Sequence, residues 1–231
     1  MNIETASVRE MADVFKATIP AHVILSAKDS VKTQDRWFHT NVFLDFERLI
    51  IHPEVVDVLS KRMANEILRW NVRVRAIIAP ERGATTLSCM LALYLQKHWD
   101  TEVLTILAEK NGKGGYRIHP RNVQLLDGID VATIDDVGTS GTALRKVNAL
   151  AGMDGARVLG SYVCWDRSSR LTARSVNAGR FGALCRDTIK TWTSAECAID
   201  GPCEKKEKIS TAYGHGAEYL EELRQVAHTR R

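Results

Sequence analysis

No apolar run in this 231-residue chain is long enough to cross a bilayer as a helix. The lysines and arginines are scattered rather than gathered into a patch, and the formal net charge is only +4. Helical membrane proteins and nucleic-acid binders are therefore poor fits, although a mild positive balance suits an anionic substrate. Internal repeats and low-complexity segments are absent. The opening Met1-Asn2-Ile3-Glu4 has no basic region leading into an apolar core, so no signal peptide is expected. Neither of two widespread phosphate-binding patterns occurs: there is no Walker A spacing, and no Gly-x-Gly-x-x-Gly follows a strand. Cysteine is sparse and odd in number. Cys89, Cys164, Cys185, Cys197 and Cys203 read as reduced thiols in a cytoplasmic protein. The spacing Cys197-x5-Cys203 is wider than the two to four residues usual between metal ligands, which argues against zinc on this pair. What is present is ordinary for a globular chain: 45% hydrophobic and 26% charged residues, enough for a sizeable core.

The stretch around which the rest is organised runs from Val131 to Ala143. Val131–Ile134 is a short β-branched apolar run suited to a strand buried on both faces. Asp135 and Asp136 end it. Val137, Gly138, Thr139, Ser140, Gly141, Thr142 and Ala143 then form a small-residue, hydroxyl-rich turn that leads into helical spacing. Loop N–H groups, a helix N-terminus and hydroxyl donors together make an anion cradle. The two carboxylates cannot bind that anion; they suit hydroxyls or a cation beside it. A phosphate next to a diol describes a sugar phosphate.

In these residues the chain resembles the type I phosphoribosyltransferases, and more particularly the orotate phosphoribosyltransferase branch. The resemblance implies a doubly wound α/β fold with a mainly parallel sheet. It also implies phosphoribosyl pyrophosphate (PRPP) as one substrate, Mg²⁺ as cofactor and a homodimer as the assembly. Asp135 and Asp136 would hold the ribose hydroxyls and reach Mg²⁺ through water and PRPP, while residues 137–143 would wrap the 5′-phosphate. No nucleic-acid or membrane partner is implied.

A second strand-loop-helix junction precedes this one. Val72–Ala79 reads as a strand, Pro80-Glu81-Arg82-Gly83 as its loop and Ala84–Trp99 as a helix. Loops at the carboxyl ends of parallel strands share one edge, so both junctions can reach one ligand. The family binds pyrophosphate at this position, making Glu81, Arg82 and Gly83 candidates. After a strand over 102–108, Gly112, Gly114 and Gly115 predict a mobile segment at 109–116, where Lys110 and Lys113 could close over a polyanion as catalytic groups. Arg157–Trp165 reads as a strand ending in Asp166-Arg167. Counted without a gap from Asp135, Arg167 falls where the orotate enzymes carry an arginine for the orotate carboxylate, a planar group that a guanidinium fork matches.

The two ends are expected as extensions. A capped amphipathic helix over 5–18 ends at Pro20, and strands at 21–25 and 37–46 flank a polar loop as a hairpin or hood. By resemblance the hood recognises the base through Lys28, Trp37 and Phe38, with Thr139 from the phosphate loop. Ala27 and Leu25 stand where many members have glycine and lysine. Pro53–Trp70 is a helix, Phe181–Cys185 an edge strand and Ala217–His228 a final helix. The expected division is 1–52 (N-terminal helix and hood), 53–170 (PRPP-binding core) and 171–231 (C-terminal appendage), all within one structural domain. The reading is an enzyme joining orotate to PRPP to give orotidine 5′-monophosphate and pyrophosphate. Transfer to another base, or a non-catalytic PRPP-sensing regulator, stay open as alternatives.

Overall fold

A computed structural model describes residues 2–26, 37–112 and 114–229. In chain order the elements are α1 (Val8–Val14), β1 (Thr18–Ser26), β2 (Trp37–Leu44), α2 (Glu47–Ile50), α3 (Pro53–Leu68), β3 (Ala76–Pro80), α4 (Thr85–Trp99), β4 (Leu104–Lys110) and β5 (Tyr116–Ile118). They continue with α5 (Pro120–Val123), β6 (Asp130–Gly138), α6 (Thr142–Met153), β7 (Arg157–Asp166), α7 (Ala173–Val176), β8 (Phe181–Arg186), β9 (Thr191–Thr193), α8 (Ser194–Asp200), β10 (Ile209–Gly214) and α9 (Gly216–Thr229). The chain divides into two compact units, one of residues 1–17 and 46–188, the other of 18–45 and 189–231.

The first unit is built on a six-stranded sheet ordered β5-β4-β3-β6-β7-β8. Only β5 runs antiparallel, folding back on β4. The expected doubly wound, mainly parallel sheet is the observed one. β3, the first strand, lies at its middle; the chain moves outward on one side to β4 and then returns to the other side for β6. Such a reversal opens a crevice at the carboxyl ends of the two strands. Every residue of β3 is buried, as expected for a strand covered on both faces. Pro53 starts α3 at a position where its missing N–H costs nothing, and Val55, Leu59, Met63 and Ile67 bury one face. Side chains of this size contribute roughly 1.5–3 kcal/mol each when fully buried.

Beneath β6 and β7, α6 is held by a closed polar ring. The Thr133 hydroxyl donates to Asn148 Oδ1 at 2.7 Å, and Asn148 Nδ2 donates to Ser161 Oγ at 2.9 Å. Ser161 donates back to Thr133 Oγ1 at 2.7 Å, and the second Nδ2 proton goes to the Val176 carbonyl at 2.6 Å. All four groups are deeply buried and satisfied, which fixes the register of α6 against the sheet.

α1 is shorter than expected. The capping box forms, with Ser7 accepting from the Glu10 N–H and Glu10 accepting from the Ser7 N–H. The helix ends at Val14, with Lys16 in the left-handed region at φ 52°. Pro20 is therefore not a helix stop but a residue of β1, beside a register shift where its missing N–H is tolerated.

The second unit is a four-stranded sheet ordered β10-β1-β2-β9 with α8 and α9. It joins two pieces of sequence: β1 pairs parallel with β10, and β2 pairs antiparallel with β9. The divisions at 52 and 170 drawn from sequence follow neither unit. α1 belongs with the first unit, and the chain from Ile189 shares a sheet with the expected hood strands. No helix among the described residues is long and apolar enough to cross a membrane.

Candidate active site

The carboxyl ends of β3, β4, β6 and β7 lie on one edge of the first unit, and most of the expected site residues lie there. At the end of β6, Asp135 Oδ1 accepts the Asp136 N–H at 3.0 Å, and Asp136 Oδ1 accepts the Val137 N–H at 2.7 Å. Burial raises the Asp135 carboxyl well above its ordinary range, the Asp136 charge raises it further, and Lys110 pulls the other way. Burial also raises Asp136. Two carboxylates held where ionisation is costly form a site that gains from hydroxyl donors or a cation.

Asp136 lies directly over the β3 turn. A Cβ on Gly83 would fall 2.0 Å from Asp136 Oδ2, so only glycine lets the two junctions meet. The Glu81–Arg82 peptide is cis, and the Glu81 N–H donates to the Ala108 carbonyl of β4 at 3.0 Å, tying this turn to the next strand. Arg82 is exposed.

After Gly138 the loop turns into α6. Gly138 is buried, and a Cβ there would meet Leu171 Cδ1 at 2.4 Å. Gly141, at φ 71°, is the N-cap of α6 and makes the left-handed turn that aims the helix start outward. Ser140 Oγ lies 2.9 Å from Thr142 Oγ1 and accepts the Thr142 N–H at 3.4 Å, while the N-cap itself is a glycine with no side chain to offer. First-turn N–H groups and hydroxyls thus gather at one helix start, an arrangement suited to phosphate. Thr139 and Ser140 are exposed on the loop, while Val137, Thr142 and Ala143 are half-buried.

Two further residues complete the edge. Lys110 is the last residue of β4. The expected mobile segment at 109–116 is mostly hairpin: Glu109 and Lys110 pair with Arg117 and Tyr116, and Asn111 and Gly115 close the turn through two hydrogen bonds of 3.1 and 3.0 Å. Lys113 and Lys28 lie outside the described residues. Arg167 follows β7, and its backbone N–H donates to the Gly138 carbonyl at 3.0 Å. The residue is 5% exposed, and burial lowers its pKa. The turn that carries it is pinned by Asp166, fully buried, which accepts from the Ser168 N–H (3.1 Å), Ser168 Oγ (2.8 Å), Leu171 N–H (3.1 Å) and Arg186 (2.9 Å). Sequence reasoning missed this role of Asp166. Its signal was the run of donors that follows it: Ser168, Leu171 and later Arg186.

Trp37 and Phe38 belong to the second unit. Trp37 is 8% exposed, its Nε1 donates to Glu222 at 3.1 Å, and its ring packs edge-on to Tyr219 at 5.8 Å. Phe38 pairs with Thr193 of β9.

No protein-family model matches the chain. It is 27% identical over 128 residues to orotate phosphoribosyltransferase of Pyrococcus horikoshii, covering 55% of this chain and 66%, just under two thirds, of that protein. Among solved structures, orotate phosphoribosyltransferase from Aeropyrum pernix superposes with TM-score 0.54 at 20% identity, over 76% of this chain and 90% of that one. Adenine phosphoribosyltransferase from Saccharomyces cerevisiae, complexed with adenine and an imino-sugar bisphosphate, gives TM-score 0.52 at 17% identity, over 77% and 99%.

Proposed function

We propose, from a chain that has the type I phosphoribosyltransferase fold and orotate phosphoribosyltransferases among its relatives, that it transfers the phosphoribosyl group of PRPP to a nitrogen base and releases pyrophosphate. The observation that carries this reading is the meeting of Asp136, next to Asp135, with Gly83 at the sheet's reversal point, beside a helix start lined with hydroxyls. The loop N–H groups from Gly138 to Thr142 bind the 5′-phosphate. Asp135 and Asp136 accept from the ribose hydroxyls and favour positive charge on the sugar as the anomeric bond breaks. The Glu81–Gly83 turn and Lys110 receive the departing pyrophosphate, where charge develops and fixed cations act most strongly. Mg²⁺ fits this donor set, two carboxylates raised by burial beside substrate phosphates, and when bound it neutralises pyrophosphate charge.

Orotate is the base this reading favours. Arg167 sits one hydrogen bond from the phosphate loop, and a guanidinium can hold the orotate carboxylate through two parallel bonds. Likeness to an adenine enzyme makes a purine the second candidate. Pyrophosphate release from PRPP and Mg²⁺ with orotate, uracil, hypoxanthine or adenine tests both. Orotate turnover is the expected result. Turnover of adenine alone leaves the transfer and overturns the base; absence of release with every base, by a chain that still binds PRPP, overturns the enzyme reading in favour of a PRPP-sensing regulator.

A further inference from the structure

We propose that the second unit is a zinc module in which His22, His39, Cys197 and Cys203 hold a single structural zinc ion. The four ligand atoms, one from each residue, lie within 4.8 Å of one another. His22 and His39 come from the paired strands β1 and β2, Cys197 from α8, and Cys203 from the turn that follows it. His22, His39 and Cys197 are buried at 3%, 0% and 0% exposure.

Three of the six distances between ligand atoms come close to those around one tetrahedral ion. Bonds of about 2.3 Å to sulfur and about 2.0 Å to nitrogen place the ligand atoms of such an ion roughly 3.3–3.8 Å apart. Cys203 Sγ lies 3.4 Å from His39 Nδ1 and 3.9 Å from His22 Nε2. The two nitrogens, 2.8 Å apart, need only separate by a few tenths of an ångström. Two thiolates with two imidazoles in a tetrahedron select zinc among common metals, and four protein ligands leave no open position, as in structural sites.

The outer atoms of the histidines support this use. His22 Nδ1 lies 2.9 Å from the Glu207 carbonyl, which can only accept, so that nitrogen carries the proton and Nε2 presents its lone pair inward. His39 Nε2 lies 3.2 Å from Ser194 Oγ, which can accept its proton and leave Nδ1 to face the same point. An oxygen partner on the far nitrogen is the usual way a ligating imidazole is oriented. On the cysteine side, the turn is shaped around sulfur. The Cys203 N–H donates to Cys197 Sγ at 3.2 Å, and the Gly201 and Glu204 N–H groups both donate to the Cys197 carbonyl at 3.1 Å. A Cβ on Gly201 would fall 2.8 Å from Cys197 Sγ. Without metal, a bond from His39 Nδ1–H to His22 Nε2 would satisfy the histidine pair, but it gives no reason for two sulfurs from a distant segment to converge there.

The unit also needs a staple. Its buried apolar side chains among the described residues are few: Val23, Ile24, Trp37, Leu44, Trp192, Cys197 and Pro202. Small cores of this kind are often completed by a structural metal. Here the ion would tie the segment 18–45 to the segment 189–231, which are far apart in sequence. The wide Cys197–Cys203 spacing is no obstacle, because the two remaining ligands lie on strands far earlier in the chain.

The test uses the full chain, purified under reducing conditions, and does not depend on the activity proposed for the first unit. Metal analysis should find one zinc per chain. A strong chelator should remove it with a fall in the thermal midpoint, and added Zn²⁺ should restore both. Replacement with Co²⁺ should give the visible bands of tetrahedral cobalt and a thiolate-to-cobalt charge-transfer band. In Cys203→Ser, the half-buried ligand, that band should weaken and stoichiometric uptake should be lost. Should this variant fail to fold, the wild-type cobalt spectrum decides alone. A chain that purifies without zinc, takes up no Co²⁺ and melts identically with and without chelator overturns the proposal, as does stoichiometric iron or a Cys197–Cys203 disulfide in its place.

Discussion

Asp135→Asn separates what the acidic pair costs the fold from what it gives a ligand. The Asp135 carboxyl lies above its ordinary value of 3.8, first because it is buried and second because Asp136 is charged beside it. Its proton is thus held more tightly in the folded chain than in the unfolded one. For a group raised in this sense, the stabilising contribution is complete below about pH 3.8 and drains away as pH climbs through the folded value. As pH rises through the folded value, the wild-type chain comes to carry an ionised carboxylate that the fold disfavours. Asparagine keeps the shape and the acceptor for the Asp136 N–H and removes that charge. Relief of a functional site of this type yields roughly 0.5–2 kcal/mol. For a chain of this size each kcal/mol raises the melting midpoint by about 2–4 °C. The assay is thermal unfolding of both proteins from about pH 4 to about pH 8. The variant should match the wild type at the acid end and exceed it increasingly toward neutrality. With PRPP and Mg²⁺ at about 100 times Kd, the wild type should gain about 2.7 kcal/mol and the variant should not. A variant less stable than the wild type at neutral pH, or a gap that ignores pH, refutes the reasoning.

Gly83→Ala places a methyl group into Asp136 and should abolish PRPP binding in calorimetric titration while circular dichroism shows a folded chain; unchanged affinity would show that the two junctions need not touch. Arg167→Ala should cost about 2–5 kcal/mol in orotate kcat/KM with PRPP affinity preserved, and Arg167→Lys should recover only part, since an ammonium offers no planar fork. Equal kinetics for arginine and lysine would remove the carboxylate contact. Asn148→Ala breaks the polar ring under α6 and leaves the Val176 carbonyl unsatisfied. Its cost in denaturant unfolding should be about 1–3 kcal/mol, and a neutral result would mean that the ring contributes nothing net.

The sequence by itself determined the central strands and helices of the first unit and their edge. Alternating apolar runs and helical spacing marked β3, α4, β4, β6, α6 and β7, because a parallel sheet covered on both faces writes itself as continuous β-branched strands between amphipathic helices. The acidic pair and its glycine-hydroxyl loop were legible because their chemistry is local: one strand end, one turn and one helix start. Only the tertiary structure decided what depends on distant segments. It replaced Pro20 as a helix stop with a bulged strand, turned most of the 109–116 segment into a hairpin and placed Gly83 under Asp136. It paired β1 with β10 and β2 with β9, contacts between short strands that no periodicity announces. For the same reason nothing in the sequence singled out His22 and His39, and Cys197-x5-Cys203 looked too wide for a metal. Ligand geometry is a property of where strands meet, and strand pairing over long separations is set by the packing of the whole sheet rather than by neighbours in the chain.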